Sequence, residues 1–233
     1  RVGTIDGASG GAISGKLNAG SGNTNTGNFA NVFGENNEAS GNNSTVSGGR
    51  YNHAHGNLSV VSGGGGAFDA DSNSAMGHIS VIGGGQRNST SLAWSTVSGG
   101  YWNQANGEGT TVSGGSLNRA VGNSATVGGG ATNDAMANGA TIAGGFENDA
   151  TGFLSTIAGG YNHAASGTNS TISGGYWNIA SATDASIGGG HFNYATDSAA
   201  TIAGGMNNRA RGKYSVIAGG GGMLVLEDYD HAV

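Results

Sequence analysis

Two aspartates, Asp134 and Asp149, stand fifteen residues apart, and fifteen residues is also the length of a unit that this sequence writes repeatedly. If each unit is one coil of a stacked structure, equivalent residues of neighbouring units lie about 4.8 Å apart. That separation suits the paired carboxylates of a retaining glycosidase, which sit at about 5–5.5 Å. Arg119, however, fills the same place one unit earlier. A ladder of charges facing solvent accounts for all three, so no catalytic residue is assigned and the chain is not read as an enzyme. The six histidines (His53, His55, His78, His163, His191 and His231) share no place in the unit. No metal-ligand cluster follows from their spacing, and they read as scattered surface residues. Neither a metal nor a cofactor is expected. The nine-residue period with a regular Asp that marks calcium-binding β-rolls is also missing.

Aromatic side chains are the stronger chemical signal. Consecutive units give Phe146, Tyr161, Tyr176 and His191 at their seventh place, where Tyr101 also falls. The eighth place gives Trp102, Trp177 and Phe192. Stacked coils would gather these into an aromatic stripe, and sugars bind such stripes by laying apolar C–H surface on the rings. Packing at a corner or between chains is the alternative role for the same eight residues.

The elements that must position these residues follow from the repeat. Units begin at Ser80, Ser95, Thr110, Ala125, Ala140, Ser155, Ser170, Ala185, Ala200 and Ser215 without a slip. Two good copies are STVSGGYWNQANGEG and STISGGYWNIASATD. Ser44 to Leu58 is a regular copy, Ser59 to Ile79 carries six extra residues, and Ala30 to Asn43 is a fourteen-residue copy with the single Gly34. Place 3 is always Val or Ile, as in Val97, Ile142 and Ile172; place 11 is Ala almost throughout, with Thr90 the exception; place 9 is mostly Asn, as in Asn133 and Asn178. Places 1 to 4 predict one short strand and places 9 to 12 a second. The paired glycines turn the chain between them, because glycine takes positive φ at no steric cost. A short unbroken period means stacked units in parallel pairing. About twelve coils predict a rod of roughly 60 Å. The repeated Asn can form a ladder along that rod or occupy a left-handed corner.

Composition excludes other classes. Gly supplies 50 of 233 residues, Pro and Cys none, and only 9% are charged. Collagen needs Gly every third residue with abundant Pro. A disordered chain would not carry Val or Ile at every fifteenth residue. The absence of Cys excludes a disulfide framework. A net charge of −6 lacks the basic footprint of a nucleic-acid binder. No stretch approaches the roughly 20 apolar residues of a membrane span, so direct membrane insertion is not expected. The sequence starts at Arg1 without a signal peptide and reads as part of something longer.

Each coil offers its core one Val or Ile, worth about 1.5–3 kcal/mol, and one Ala. Ordering fifteen residues costs on the order of 15–30 kcal/mol in backbone entropy. Hydrogen bonds between coils recover some of this. A single thin stack therefore looks short of apolar burial, and the small residues at places 2 and 4 predict side-by-side oligomerisation.

Segments such as NQANGEGTTVSGG, NHAHGNLSVVSGG and NRARGKYSVIAGG resemble the head repeats of trimeric autotransporter adhesins, the YadA-like family, whose form is A-x-G-x-x-S-x-x-x-G. The match covers about Ala30 to Gly220. The resemblance implies an all-β chain folded as a left-handed parallel β-roll or solenoid and assembled as a homotrimer. It also implies exposure at the cell surface and attachment to host-cell or matrix glycans or proteins. Residues 1–29 then form an irregular segment or degenerate coils, 30–220 the roll, and 221–233 a C-terminal cap or the start of another domain. Most copies here have fifteen residues where the family repeat has fourteen, so the coil corner should differ and the family's loops are not transferred. A phage- or predator-type fibre tip for host recognition could use the same roll. So could an ice-binding solenoid presenting the threonines of place 2, a glycan-degrading spike, or a passive spacer. The six-residue insertion, Gly65 to Ala70, is expected to project as a recognition loop or as a tolerated insertion.

Overall fold

A computed structural model describes residues 15–220 together with the strand Val225–Leu226. The chain divides into two compact units, Arg1–Gly109 and Thr110–Val233. Each unit is a parallel β-solenoid. In the first, one ladder runs through Leu17–Ser21, Asn31–Glu35, Thr45–Val46, Val60–Val61, Val81–Ile82 and Thr96–Val97. A second runs through Thr24–Asn25, Glu38–Ala39, His53–Ala54, Ser74–Ala75, Ser89–Thr90 and Gln104–Ala105. In the second unit the ladders run from Thr111–Val112 to Val216–Ile217 and from Arg119–Ala120 to Val225–Leu226. The register is residue-for-residue, with Thr141 beside Thr156 and Thr156 beside Thr171.

Two details depart from the sequence reading. Regular strands are two residues long, at places 2–3 and 10–11 of each coil, not four. Pairing extends to Leu17 beside Asn31 and to Val225 beside Arg209. The remaining tail lies outside the described residues. The insertion does not simply project. It forms a 3-10 turn, Asp69–Asp71, and the buried Asp71 binds Arg87 at 2.9 Å.

Alternation along each strand separates inside from outside. Val and Ile of place 3 and Ala of place 11 are fully buried, while the Thr of place 2 is partly exposed. The Asn of place 9 is buried as well and forms a ladder. Asn133 Nδ2 donates to Gly129 O at 3.0 Å and Gly145 O at 2.9 Å, and its Oδ1 accepts from the N–H of Asn148 at 3.1 Å. This satisfies Gly129 O and gives Gly145 O a second donor beside the Ala131 N–H.

The left-handed residues other than glycine lie elsewhere, at places 8 and 15. Trp102, Thr132, Trp177 and Phe192 have φ between 52 and 56°, as does Leu154 at place 15. Hydrogen bonds between coils hold them there: Trp177 N–H donates to Tyr161 O at 3.0 Å and Thr132 N–H to Ser116 O at 3.0 Å.

Candidate functional site

In the second unit, place 7 is where the corners of successive coils meet in parallel bridges, joining Phe146 to Tyr161, Tyr161 to Tyr176, and Tyr176 to His191. That backbone register fixes the rings. Phe146 and Tyr161 stack at 5.4 Å with 9° between planes, and Tyr161 and Tyr176 stack at 5.1 Å with 10°. Both faces of Tyr161 are thereby covered. What it offers to solvent is its edge and its hydroxyl. The charge of Glu147, with some burial and a hydrogen bond to the same carboxylate, raises the Tyr161 pKa, which keeps the phenol a hydrogen-bond donor.

His191 and Phe192 meet Tyr176 edge-on at 6.1 and 5.4 Å. Trp177 is tilted 39° to Tyr176 and 44° to Phe192, and stacks flat on neither. The left-handed backbone at place 8 carries Trp177 and Phe192 to one side of the row. Trp177 is 41% exposed. It is the ring of this group best placed to receive a ligand's apolar face.

Tyr101 and Trp102 belong to the first unit and meet a different partner. Arg87 lies 5.9 Å from the Tyr101 ring and 5.4 Å from the Trp102 ring, and its NH1 donates to Tyr101 Oη at 3.2 Å. Asp71 fixes Arg87 in turn through its Nε at 3.0 Å. Beside them opens a cleft of about 420 Å³ lined in part by Ala70, Ser74, Arg87, Trp102 and Gln104.

The carboxylates Asp134 and Asp149 are register partners, and so are Arg119 and Asp134, with Arg119 NH2 3.4 Å from Asp134 Oδ2. Partial burial raises the Asp134 pKa against the pull of Arg119. Asp149 is raised by partial burial and then by Asp134. The three form an outward charge ladder. The Thr column is in register too, but Ser186 and Val216 interrupt it in the second unit. At place 4 only Ser113 and Ser173 carry a hydroxyl in the second unit, beside Gly128, Ala143 and Ala158, so a second hydroxyl row is broken.

The histidines are not simply scattered over the surface. His163 is buried in the Asn ladder, where its Nδ1 accepts from the N–H of Asn178 at 3.1 Å. Burial lowers its pKa. The unfolded chain, with His near 6.5, then binds more protons than the folded one. Stability from this group is present above pH 6.5 and is lost as pH falls below it. Replacing His163 by Asn, the ladder's usual residue, should flatten that acid-side loss. Urea midpoints measured from pH 7.5 to 5 for both proteins check it, the expectation being a shallower fall in the variant.

In the first unit, His53 and His55 meet Glu38. His53 Nδ1 and His55 Nε2 lie 3.5 and 3.4 Å from Glu38 Oε2, and His53 Nε2 lies 2.9 Å from Asp69 Oδ1. Comparing histidines by repeat place hides this group, because it combines places 10 and 12 with a residue of the insertion. The signal that reveals it is alternation: residues two apart share a strand face, and Glu38 is the register partner of His53. His231 lies outside the described residues. No protein-family model matches the chain, and no curated protein matches it.

Proposed function

We propose that this chain is the head of a surface-exposed trimeric fibre that attaches to cell-surface glycans. The observation that carries the reading is the exposed aromatic group at the corner of the second unit, where Trp177 leans on Tyr176 without joining the flat stack of Phe146, Tyr161 and Tyr176. Rigid rings on a regular scaffold bind sugars at low entropic cost. Regularly stacked coils and the A-x-G-x-x-S repeats support the kinship with YadA-like heads. The small side chains of places 2 and 4, exposed or half exposed, supply a surface against which partner chains pack. A net charge of −6 argues against nucleic acid as the ligand. No described helix is long and apolar enough to cross a membrane.

The test is a glycan array probed with the full chain, with sedimentation equilibrium to count protomers. Three chains per particle and retention of a defined glycan class are expected. Trp177→Ala should weaken the retained glycan by roughly 30-fold, the effect of an anchor residue worth about 2 kcal/mol. A monomer that binds no glycan would overturn the proposal.

A further inference from the structure

The geometry points to a binding site for a divalent transition metal of the zinc class in the first unit, which we propose is held by His53, His55 and Glu38 and oriented by Asp69. The four residues come from different stretches of chain that the coil register brings together. His53 and His55 flank the buried Ala54, His53 in the strand His53–Ala54 and His55 directly after it. Glu38 sits one coil earlier, directly beside His53. Asp69 comes from the turn of the insertion.

Two of the three donor edges have the length of a small tetrahedral ion's. Each of the three ligand residues brings one donor atom within 4.8 Å of those of the other two. The distances from Glu38 Oε2, 3.5 Å to His53 Nδ1 and 3.4 Å to His55 Nε2, match the ligand-to-ligand edges of a tetrahedron with bonds of about 2.0–2.1 Å.

A second observation is independent of the clustering. His53 Nδ1 is buried and has no hydrogen-bond partner. His53 Nε2 is engaged with Asp69 at 2.9 Å. With the ring proton on Nε2 and given to Asp69, the Nδ1 lone pair lies 3.5 Å from a carboxylate oxygen, a repulsive arrangement that a cation between them reverses. The arrangement of a carboxylate on the far nitrogen of a ligating histidine is the one that fixes tautomer and ring orientation in metal sites. Asp69 is therefore a positioning residue, and the insertion has a task.

Two imidazoles and one carboxylate select zinc-class metals over calcium or magnesium, which prefer all-oxygen sets. Three protein ligands leave the fourth position of a tetrahedral ion to solvent.

Calorimetric titration of the full chain with Zn²⁺ in metal-free buffer tests the site. One Zn²⁺ per chain is expected, with no Ca²⁺ binding at concentrations that saturate with zinc. His53→Gln and His55→Gln should each weaken zinc binding at least tenfold, while His78→Gln, an exposed histidine outside the cluster, leaves it unchanged. Asp69→Asn should weaken it about 10–100-fold while the melting temperature of the metal-free chain stays the same. Absence of zinc binding, or a loss below tenfold in either histidine variant, would overturn the site. Unchanged affinity in Asp69→Asn would remove Asp69 from it.

Discussion

Replacing Gly130 by alanine should destabilise the second unit by roughly 2–5 kcal/mol. Gly130 closes a glycine corner with φ at +84°. A left-handed conformation costs an alanine about 1–2 kcal/mol before any contact is considered. A Cβ at this place would also lie 2.1 Å from Gly145 O and 2.8 Å from Asn133 Nδ2. The first of those atoms is backbone of the next coil, which is pinned by its own ladder and cannot yield without disturbing the register. Overpacking of this kind adds about 1–3 kcal/mol. Gly144 is the control. It belongs to the same kind of corner one coil later, but a Cβ there meets nothing within 4 Å and its φ lies outside the left-handed region. Gly144→Ala should therefore stay within about 0.5 kcal/mol of the parent. Urea unfolding of the three proteins checks both, with a shifted midpoint at unchanged slope for Gly130→Ala alone. Equal stability of the two variants would mean that the corner adapts its path to a side chain.

The repeat makes most of the fold legible because one position has one environment. Val or Ile at place 3 and Ala at place 11 announce the core, and they are the residues found fully buried. The limits of such reading are equally local. Four-residue strands were expected from β-favouring composition, yet only places 2–3 and 10–11 pair regularly, because the coil must turn on either side of them. Left-handed backbone is found at the glycines, as expected, and place 8 adopts it as well, with Trp102, Thr132, Trp177 or Phe192 alike. Nothing in a tryptophan or a threonine signals this. The N–H of each such residue is held by a carbonyl of the preceding coil, and stacking imposes the conformation against local preference. The aromatic row was visible as a spacing, whereas the coverage of both Tyr161 faces depends on ring planes that spacing does not encode. The group of Glu38, His53, His55 and Asp69 was hidden for a different reason. It joins unlike places of the repeat with an insertion, so a search for one residue type at one place passes over it.

The second large effect is expected at the buried ladder. Asn193 Nδ2 donates to Gly189 O at 2.9 Å and Gly205 O at 3.0 Å, and its Oδ1 accepts from both the N–H and the Nδ2 of Asn208, at 3.1 and 3.0 Å. Alanine at this place leaves Gly189 O and the Asn208 N–H without partners, while Gly205 O keeps the His191 N–H and Asn208 Nδ2 keeps Gly204 O. Each buried polar group left alone costs about 1–3 kcal/mol, and relaxation recovers part of it, so a loss of about 3–5 kcal/mol is expected. A cavity alone would also destabilise, and Asn193→Asp separates the two causes. Aspartate keeps the volume but turns the amide donor into an acceptor facing two carbonyl oxygens. Burial and those oxygens must raise its carboxyl pKa above the unfolded value. A raised carboxyl pKa means that the folded chain binds the extra proton, so stability increases as pH falls through the folded pKa. Protonation restores one donor to the corner. The aspartate variant should thus be strongly destabilised at pH 7 and regain part of the loss near pH 4, whereas the alanine variant regains none. Denaturation midpoints at the two pH values, each taken relative to the parent, provide the measurement. An aspartate variant as stable as the parent at pH 7 would mean that the amide donors do not hold the glycine corner, and that apolar burial at places 3 and 11 carries the coil by itself.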